Sequence, residues 1–216
     1  MSRIKDSKEK LVRRLYYDRL YSAREIADRL DSTKDKVYHF MKRRGIKRRN
    51  LSEQNKAFFE RKPLSFKLKK NLNNFESKLK IIGVVLYWGE GAKIEKNCTI
   101  DFANSDLCMI KLFLRFLREV CGVKESRLRV LLYCYANQNV KELIHFWSIA
   151  TGIPQKQFSK PYVRKDFRKD KVGRMPYGLV HVRYADKKLL ILINRWIAEY
   201  KENFWVGGRA VNYTSL

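Results

Sequence analysis

The sequence predicts an α+β protein, in which a small three-helix unit precedes a domain whose helices pack on one face of an antiparallel sheet. Three features of the chain lead there. Apolar residues recur at helical spacing between positions 7 and 46, strand-like and helical runs alternate from position 97 to 200, and between them an almost wholly apolar helix at 79–93 runs into a lone acid, Glu90, set between Gly89 and Gly91. A chain of 216 residues suits one medium domain plus one small one. The expected divisions are 1–50 (helical unit), 51–75 (basic linker), 76–205 (α+β domain) and 206–216 (tail).

In the helical unit the periodic apolar set is Leu11, Leu15, Ile26, Ala27, Leu30, Val37, Phe40 and Met41. Two capping boxes, Ser22 to Glu25 and Ser32 to Asp35, start its second and third helices, since each serine accepts from the third backbone N–H while the acid reaches back to the serine amide. Leu30-Asp31-Ser32 leaves room only for a tight turn, and Gly45 ends the third helix. This pattern resembles a helix-turn-helix. The third helix would then turn Lys34, Asp35, Lys36, Tyr38, His39, Lys42 and Arg43 outward, its first half touching base edges in a major groove of double-stranded DNA. Arg43, Arg44, Lys47, Arg48 and Arg49 form a basic tail suited to phosphates or an adjacent minor groove. A small trihelical unit also serves protein contacts, and a charged helix face is often simply solvated.

Leu51 to Phe59 reads as a short helix stopped by Pro63, and the polar, Asn-rich run from Lys67 reads as a basic spacer. Beyond it lie a strand at 97–104 and a helix from Leu107 to Val120, capped by Asn104-Ser-Asp106 and closed by Gly122. A strand at 127–135 and a helix from Val140 to Thr151 follow; Phe158–Val163 and Tyr177–Tyr184 are expected to pair as an antiparallel hairpin, and Leu189–Tyr200 is the last helix. The bare sheet face should carry Arg127, Arg129 and Arg183, with Lys160, Arg164, Lys165, Arg168, Lys169, Lys171 and Arg174 around the hairpin. Tyr133, Tyr135, Tyr162 and Tyr177 lie among them, a mixture that suits a DNA saddle.

The 48 Lys and Arg against 22 Asp and Glu give a formal charge of +26, which points to a polyanion as partner. The excess is +14 over residues 1–75 and +12 over the rest. With 45% hydrophobic residues the chain still builds cores, which separates it from a disordered basic tail. Cys98, Cys108, Cys121 and Cys134 form no C-x-x-C pair and read as small buried apolar side chains in a reducing compartment. His39, His145 and His181 are too scattered for a histidine metal site. No apolar run is long enough to span a bilayer, and the N-terminus is charged where a signal peptide is apolar, so a cytoplasmic protein without a membrane partner is expected.

A helix apolar all round must be buried, and burying the Glu90 carboxylate with it is costly unless a cation or donors meet it. Two such helices packed closely through their glycines, holding paired acids on a divalent metal, answer this; a plain core helix with Glu90 at its exposed end and Gly91 as C-cap is the other reading. The run Leu79 to Lys93 resembles the LAGLIDADG motif of homing endonucleases, with Gly89-Glu90-Gly91 at its Ala-Asp-Gly end. It departs at Val85, where the motif has a small residue, while Gly83 lies two positions earlier.

The resemblance covers about residues 76–200 and implies a motif helix at a dimer seam, an antiparallel sheet along the major groove, and Glu90 as metal-binding acid for Mg²⁺. No second motif is present, so a cleaving form is expected to be a homodimer pairing two Glu90 side chains. Lys93, then Lys160 or Arg183, are nominees for the base that tunes the attacking water, and Asp101 stands either behind the metal or in solvent. Two functions follow from the resemblance: a metal-dependent site-specific DNA endonuclease, or a DNA-binding transcription regulator that keeps the fold without cutting, as certain bacterial sporulation regulators do. Nothing in the chain resembles an RNA-specific motif.

Overall fold

The computed structural model describes residues 4–164 and 175–205, without the side chains of residues 95, 204 and 205. The chain forms two compact units, Met1–Pro63 and Leu64–Leu216.

The first unit is helical. Helix α1 (Glu9–Arg13) runs on through a π-helical turn (Arg14–Asp18), and α2 (Ala23–Arg29), α3 (Lys34–Arg43) and α4 (Leu51–Arg61) follow. Val12, Leu15, Tyr16, Ile26, Ala27, Val37, Phe40, Met41 and Ile46 close its core, each large side chain contributing about 1.5–3 kcal/mol of burial. The Ser22 box forms as the sequence predicts: Glu25 N donates to Ser22 Oγ at 3.3 Å and Ser22 N to Glu25 Oε2 at 2.8 Å. The Ser32 box does not. Asp31 turns left-handed (φ 47°) and the Ser32 amide donates to Ala27 O at 2.9 Å to close α2, so capping of α3 passes to Thr33, whose Oγ1 accepts from Lys36 N.

The expected linker at 51–75 is structured throughout. Its first part is α4, started by a full Asn50–Glu53 capping box and held to α2 by Arg61, which donates to both Glu25 carboxylate oxygens at 2.8 and 2.6 Å. Its second part belongs to the other unit: Lys67 N donates to Gly122 O and Lys69 N to Val120 O, while Leu68 and Leu72 pack on the core. Gly122 has φ +60°, and a Cβ there would lie 2.1 Å from Lys67 O, so the close approach requires glycine.

The second unit is α+β. Helix α5 (Asn74–Glu90), strand β1 (Ile100–Asn104), helix α6 (Leu107–Arg115) with a π-helical turn (Phe116–Val120), strand β2 (Leu128–Tyr135), helix α7 (Val140–Thr151), strands β3 (Tyr162–Arg164) and β4 (Leu179–Tyr184), and helix α8 (Lys187–Trp205) come in that order. The sheet order is β1-β4-β2-β3. β4 is antiparallel to both β1 and β2, whereas β3 runs parallel to β2, so the sheet is mixed and not antiparallel as expected. The predicted 158–163/177–184 hairpin is absent for the same reason. Helix α7 carries the chain back to the end of the sheet where β2 began, the geometry of a parallel crossover, and β3 takes the far edge while β4 inserts between β1 and β2.

Alternation sorts the strands into two faces. Ile100, Phe102, Leu128, Val130, Leu132, Val180, Val182 and Tyr184 enter a core with Leu79, Val84 and Tyr87 of α5, Ile110 and Phe113 of α6, Trp147 of α7 and Leu190 and Ile193 of α8. Of the four cysteines only Cys121 and Cys134 are buried; Cys98 and Cys108 are exposed, because Cys98 sits in a left-handed turn (φ 53°) and Cys108 on the outer side of α6.

A buried polar cluster joins the two ends of this unit. Asp186 caps α8 by accepting from Lys188 N (2.9 Å) and Leu189 N (3.2 Å), and its other oxygen accepts from Ser65 Oγ (2.5 Å), while Tyr184 donates to Ser65 O.

Candidate nucleic-acid interface

In the first unit, burial of Val37, Phe40 and Met41 leaves Lys34, Asp35, His39 and Lys42 exposed on α3, with Lys36 and Tyr38 half-buried beside them. Tyr38 organises this face: Lys34 Nζ stands 5.5 Å and the Arg48 guanidinium 3.9 Å from its ring centre. Arg43 and Arg49 take different roles from those expected. Arg43 donates to Asp6 Oδ1 at 2.8 Å, and Arg44 also binds that carboxylate. The Arg44 hydrogen bond, assisted by Arg43, outweighs burial and holds the Asp6 carboxyl below its usual range.

Arg49 is turned into its own unit. Its guanidinium donates to Leu20 O (3.2 Å), Tyr21 O (3.0 Å) and Tyr16 O, lies 4.0 Å from the Tyr16 ring centre, and its amide donates to the Tyr16 hydroxyl. The cause is the left-handed turn at Leu20 (φ 56°), which leaves carbonyls at the end of the first helix for a side chain to satisfy.

In the second unit, α5 is capped by Asn73 and Glu76 and buries Leu79, Gly83, Val84 and Tyr87. Its opposite side carries Ile81 (45% exposed), Ile82 (41%), Val85 (50%) and Trp88 (40%), an apolar stripe at helical spacing. Among the described residues the helix is thus packed mainly on one side. Gly89 extends the stripe, and a Cβ there meets nothing within 4 Å. Gly83, by contrast, faces inward, where a Cβ would lie 2.1 Å from the Phe116 ring, so it serves packing within the unit and not an intersubunit contact.

Glu90 is exposed at the end of this helix. Gly91 does not form a left-handed cap, since its backbone is extended (φ −86°, ψ 148°); it is glycine because a Cβ would stand 2.3 Å from the Tyr87 ring. The chain then joins the sheet edge, Gly91 bridging to Phe102 and Ala92 N donating to Asp101 O at 2.9 Å. Glu90 is thus the last helical residue, immediately before the chain reaches this edge. Burial pushes the Tyr87 phenol up to about 12, and its hydroxyl donates to Ala92 O at 2.5 Å. Lys93 donates to Trp88 O at 2.7 Å and so closes the helix end, which occupies the nominee for water activation in a structural bond.

The outer sheet face carries Asp101, His181, Arg183, Arg129, Tyr133 and Tyr162. Asp101 lies at its centre of charge, accepting from His181 Nδ1 and from Arg183 Nε, each at 2.8 Å. Burial raises its carboxyl, but the His181 hydrogen bond and the His181 and Arg183 charges outweigh it and hold Asp101 below the usual carboxylate value. Beside it, His181 lies 4.7 Å from Tyr133, and Tyr133 4.9 Å from Tyr162, centre to centre.

The remaining expected contacts divide. Arg129 folds back on Ser126 O and Leu128 O, and Arg127, which precedes β2, donates to Ala185 O at 2.5 Å. Lys160 is exposed, and Arg164 lies on β3. Tyr135 shares the strand face of Tyr133 but is buried there, opposite Arg164 of β3. Arg168, with Lys165, Lys169, Lys171, Arg174 and the 206–216 tail, lies outside the described residues. The sequence reading passed over His181, although its place between Val180 and Val182 on an alternating strand already put it on the outer face.

Among the described residues no three His, Cys, Asp or Glu side chains come together as a metal site. Mg²⁺ favours six oxygen ligands, and Glu90 alone does not fit that demand within one protomer. No described helix is long and apolar enough to cross a membrane. No family model, no curated protein and no solved structure matches the chain.

Proposed function

We propose that the chain is a sequence-specific double-stranded DNA-binding protein that acts as a homodimer through α5, and that the two Glu90 carboxylates brought together there serve metal-dependent phosphodiester cleavage. One observation carries the reading: the exposed Ile81–Val85–Trp88 stripe runs down α5 to Gly89, and the same helix ends on the exposed Glu90. An apolar stripe of this kind on a chain of charge +26 is a surface for association. A second copy packed on the same stripe would bring two α5 ends together, each carrying a Glu90 whose oxygens add to those of the other.

A specific observation also favours the non-cleaving regulator. Lys93 is bonded to Trp88 O, and the described residues of one protomer gather no cluster of metal ligands. Incubating the protein with a randomised DNA library and Mg²⁺, native beside Glu90→Gln, separates the two. Cutting of one enriched site by the native protein alone supports the endonuclease; enrichment without cutting by either supports the regulator. A monomer at all concentrations in sedimentation defeats the homodimer, and no enriched sequence defeats both.

A further inference from the structure

The outer sheet face holds one histidine in a fixed posture. His181 Nδ1 lies 2.8 Å from Asp101 Oδ1, and a carboxylate can only accept, so Nδ1 carries the ring proton. The other Asp101 oxygen accepts from Arg183, which keeps the carboxylate ionised and in place. Tyr133 of β2 covers the ring from one side, with Tyr162 of β3 behind it, and in the sheet register His181 stands between Ala103 and Leu131. The short Ala103 side chain leaves space on the β1 side. Among the described residues His181 Nε2 has no hydrogen-bond partner. It is the far ring atom from Asp101, on the face away from the core.

We propose that His181 is a pH-gated DNA contact: neutral, its Nε2 accepts from a base amino group, and protonated, it donates to a guanine edge or a phosphate oxygen. This rests on the DNA-binding reading above and holds whether or not the DNA is cut. Histidine is the side chain whose charge ordinarily changes between pH 5 and 8. The groups facing it are Asp101 on β1, Arg183 on β4, and Tyr133 on β2, with Tyr162 of β3 behind it. A protonated ring adds one cation to the face, and one more neutralised phosphate steepens the dependence of log affinity on log salt by about 0.9.

The test measures binding of the full chain to its library-selected site at pH 8 and pH 5.5 over a salt series, for the native protein, His181→Gln and His145→Gln, His145 being an exposed histidine of α7 outside the interface. Expected is a gain of about tenfold in native affinity on acidification, kept in His145→Gln and lost in His181→Gln. A steeper salt slope marks a phosphate contact, and a shift of the selected sequence toward guanine marks a base edge; either supports the proposal. An equal acid response in native and His181→Gln overturns it, as does its loss in His145→Gln alone. Ring ¹⁵N shifts at pH 8 check the premise without DNA, because an unprotonated Nδ1 would also overturn it. Absence of binding at either pH defeats the parent reading, which these ring shifts leave distinguishable from the tautomer.

Discussion

Arg61 grips Glu25 across 36 residues of sequence, donating to Oε2 at 2.8 Å and to Oε1 at 2.6 Å. The Arg61 hydrogen bond, with help from the Ser22 amide and hydroxyl and against burial, holds the Glu25 carboxyl at about 2 instead of 4.5. A carboxyl lowered by folding stabilises the fold fully above its unfolded value and ceases to do so as pH falls through its folded value. The contribution is therefore present above pH 4.5 and fades toward pH 2. Because both partners are partly exposed, we expect Arg61→Ala to cost about 1 kcal/mol at pH 7, read by urea denaturation. The difference from native should shrink on acidification to pH 3, and an undiminished difference there would falsify the assignment.

Two glycines on α5 face opposite ways, so the same substitution should have opposite consequences. Gly83→Ala drives a methyl into Phe116 and should destabilise the second unit by about 2–3 kcal/mol. Gly89→Ala meets open space and should leave stability unchanged or raise it by up to about 1 kcal/mol through helix propensity. A bulkier Gly89→Leu should keep the thermal midpoint of the dilute protein while weakening self-association in sedimentation. If Gly89→Leu associates like native protein, α5 is not the seam.

Neighbouring arginines at 48 and 49 should separate in experiment. Arg48→Ala removes an exposed cation and should lower DNA affinity for all sequences, with the salt slope falling by about 0.9. Arg49→Ala strands the carbonyls of Tyr16, Leu20 and Tyr21 and should cost the first unit about 2 kcal/mol in denaturation. Matching stability losses in the two variants would contradict the division drawn from the structure.

What the sequence made legible was local. The Ser22–Glu25 box, the Asp106 cap of α6 and the 140–151 span of α7 depend on neighbours a few residues away, and each stands as the pattern predicts. The same capping chemistry at Asn50–Glu53 and Asn73–Glu76 was equally available, but polar composition around it suggested a linker. Strand order was not legible, because β3 and β4 are both plausible hairpin partners until α7 is known to reverse the chain. Side-chain roles were least legible. Arg49 and Lys93 look like free cations in the sequence, and only distant carbonyls of the folded chain show them to be fastened. Of the candidate site, Glu90 was found from its odd setting, whereas the Asp101–His181 pair needed the register of two strands 80 residues apart.

The Ser65–Asp186 bond spans 121 residues, so the second unit is shut by a latch whose two halves are made far apart in time during synthesis. Ser65 has no acceptor until Asp186 has been added to the chain, and Tyr184 meets its two Ser65 oxygens only when the strand folds back on that earlier segment. Trimming the unit to begin at Lys67 would accordingly yield a looser body with an open seam beside α8, since Asp186 would keep its helix amides and lose the strap that seals them from water.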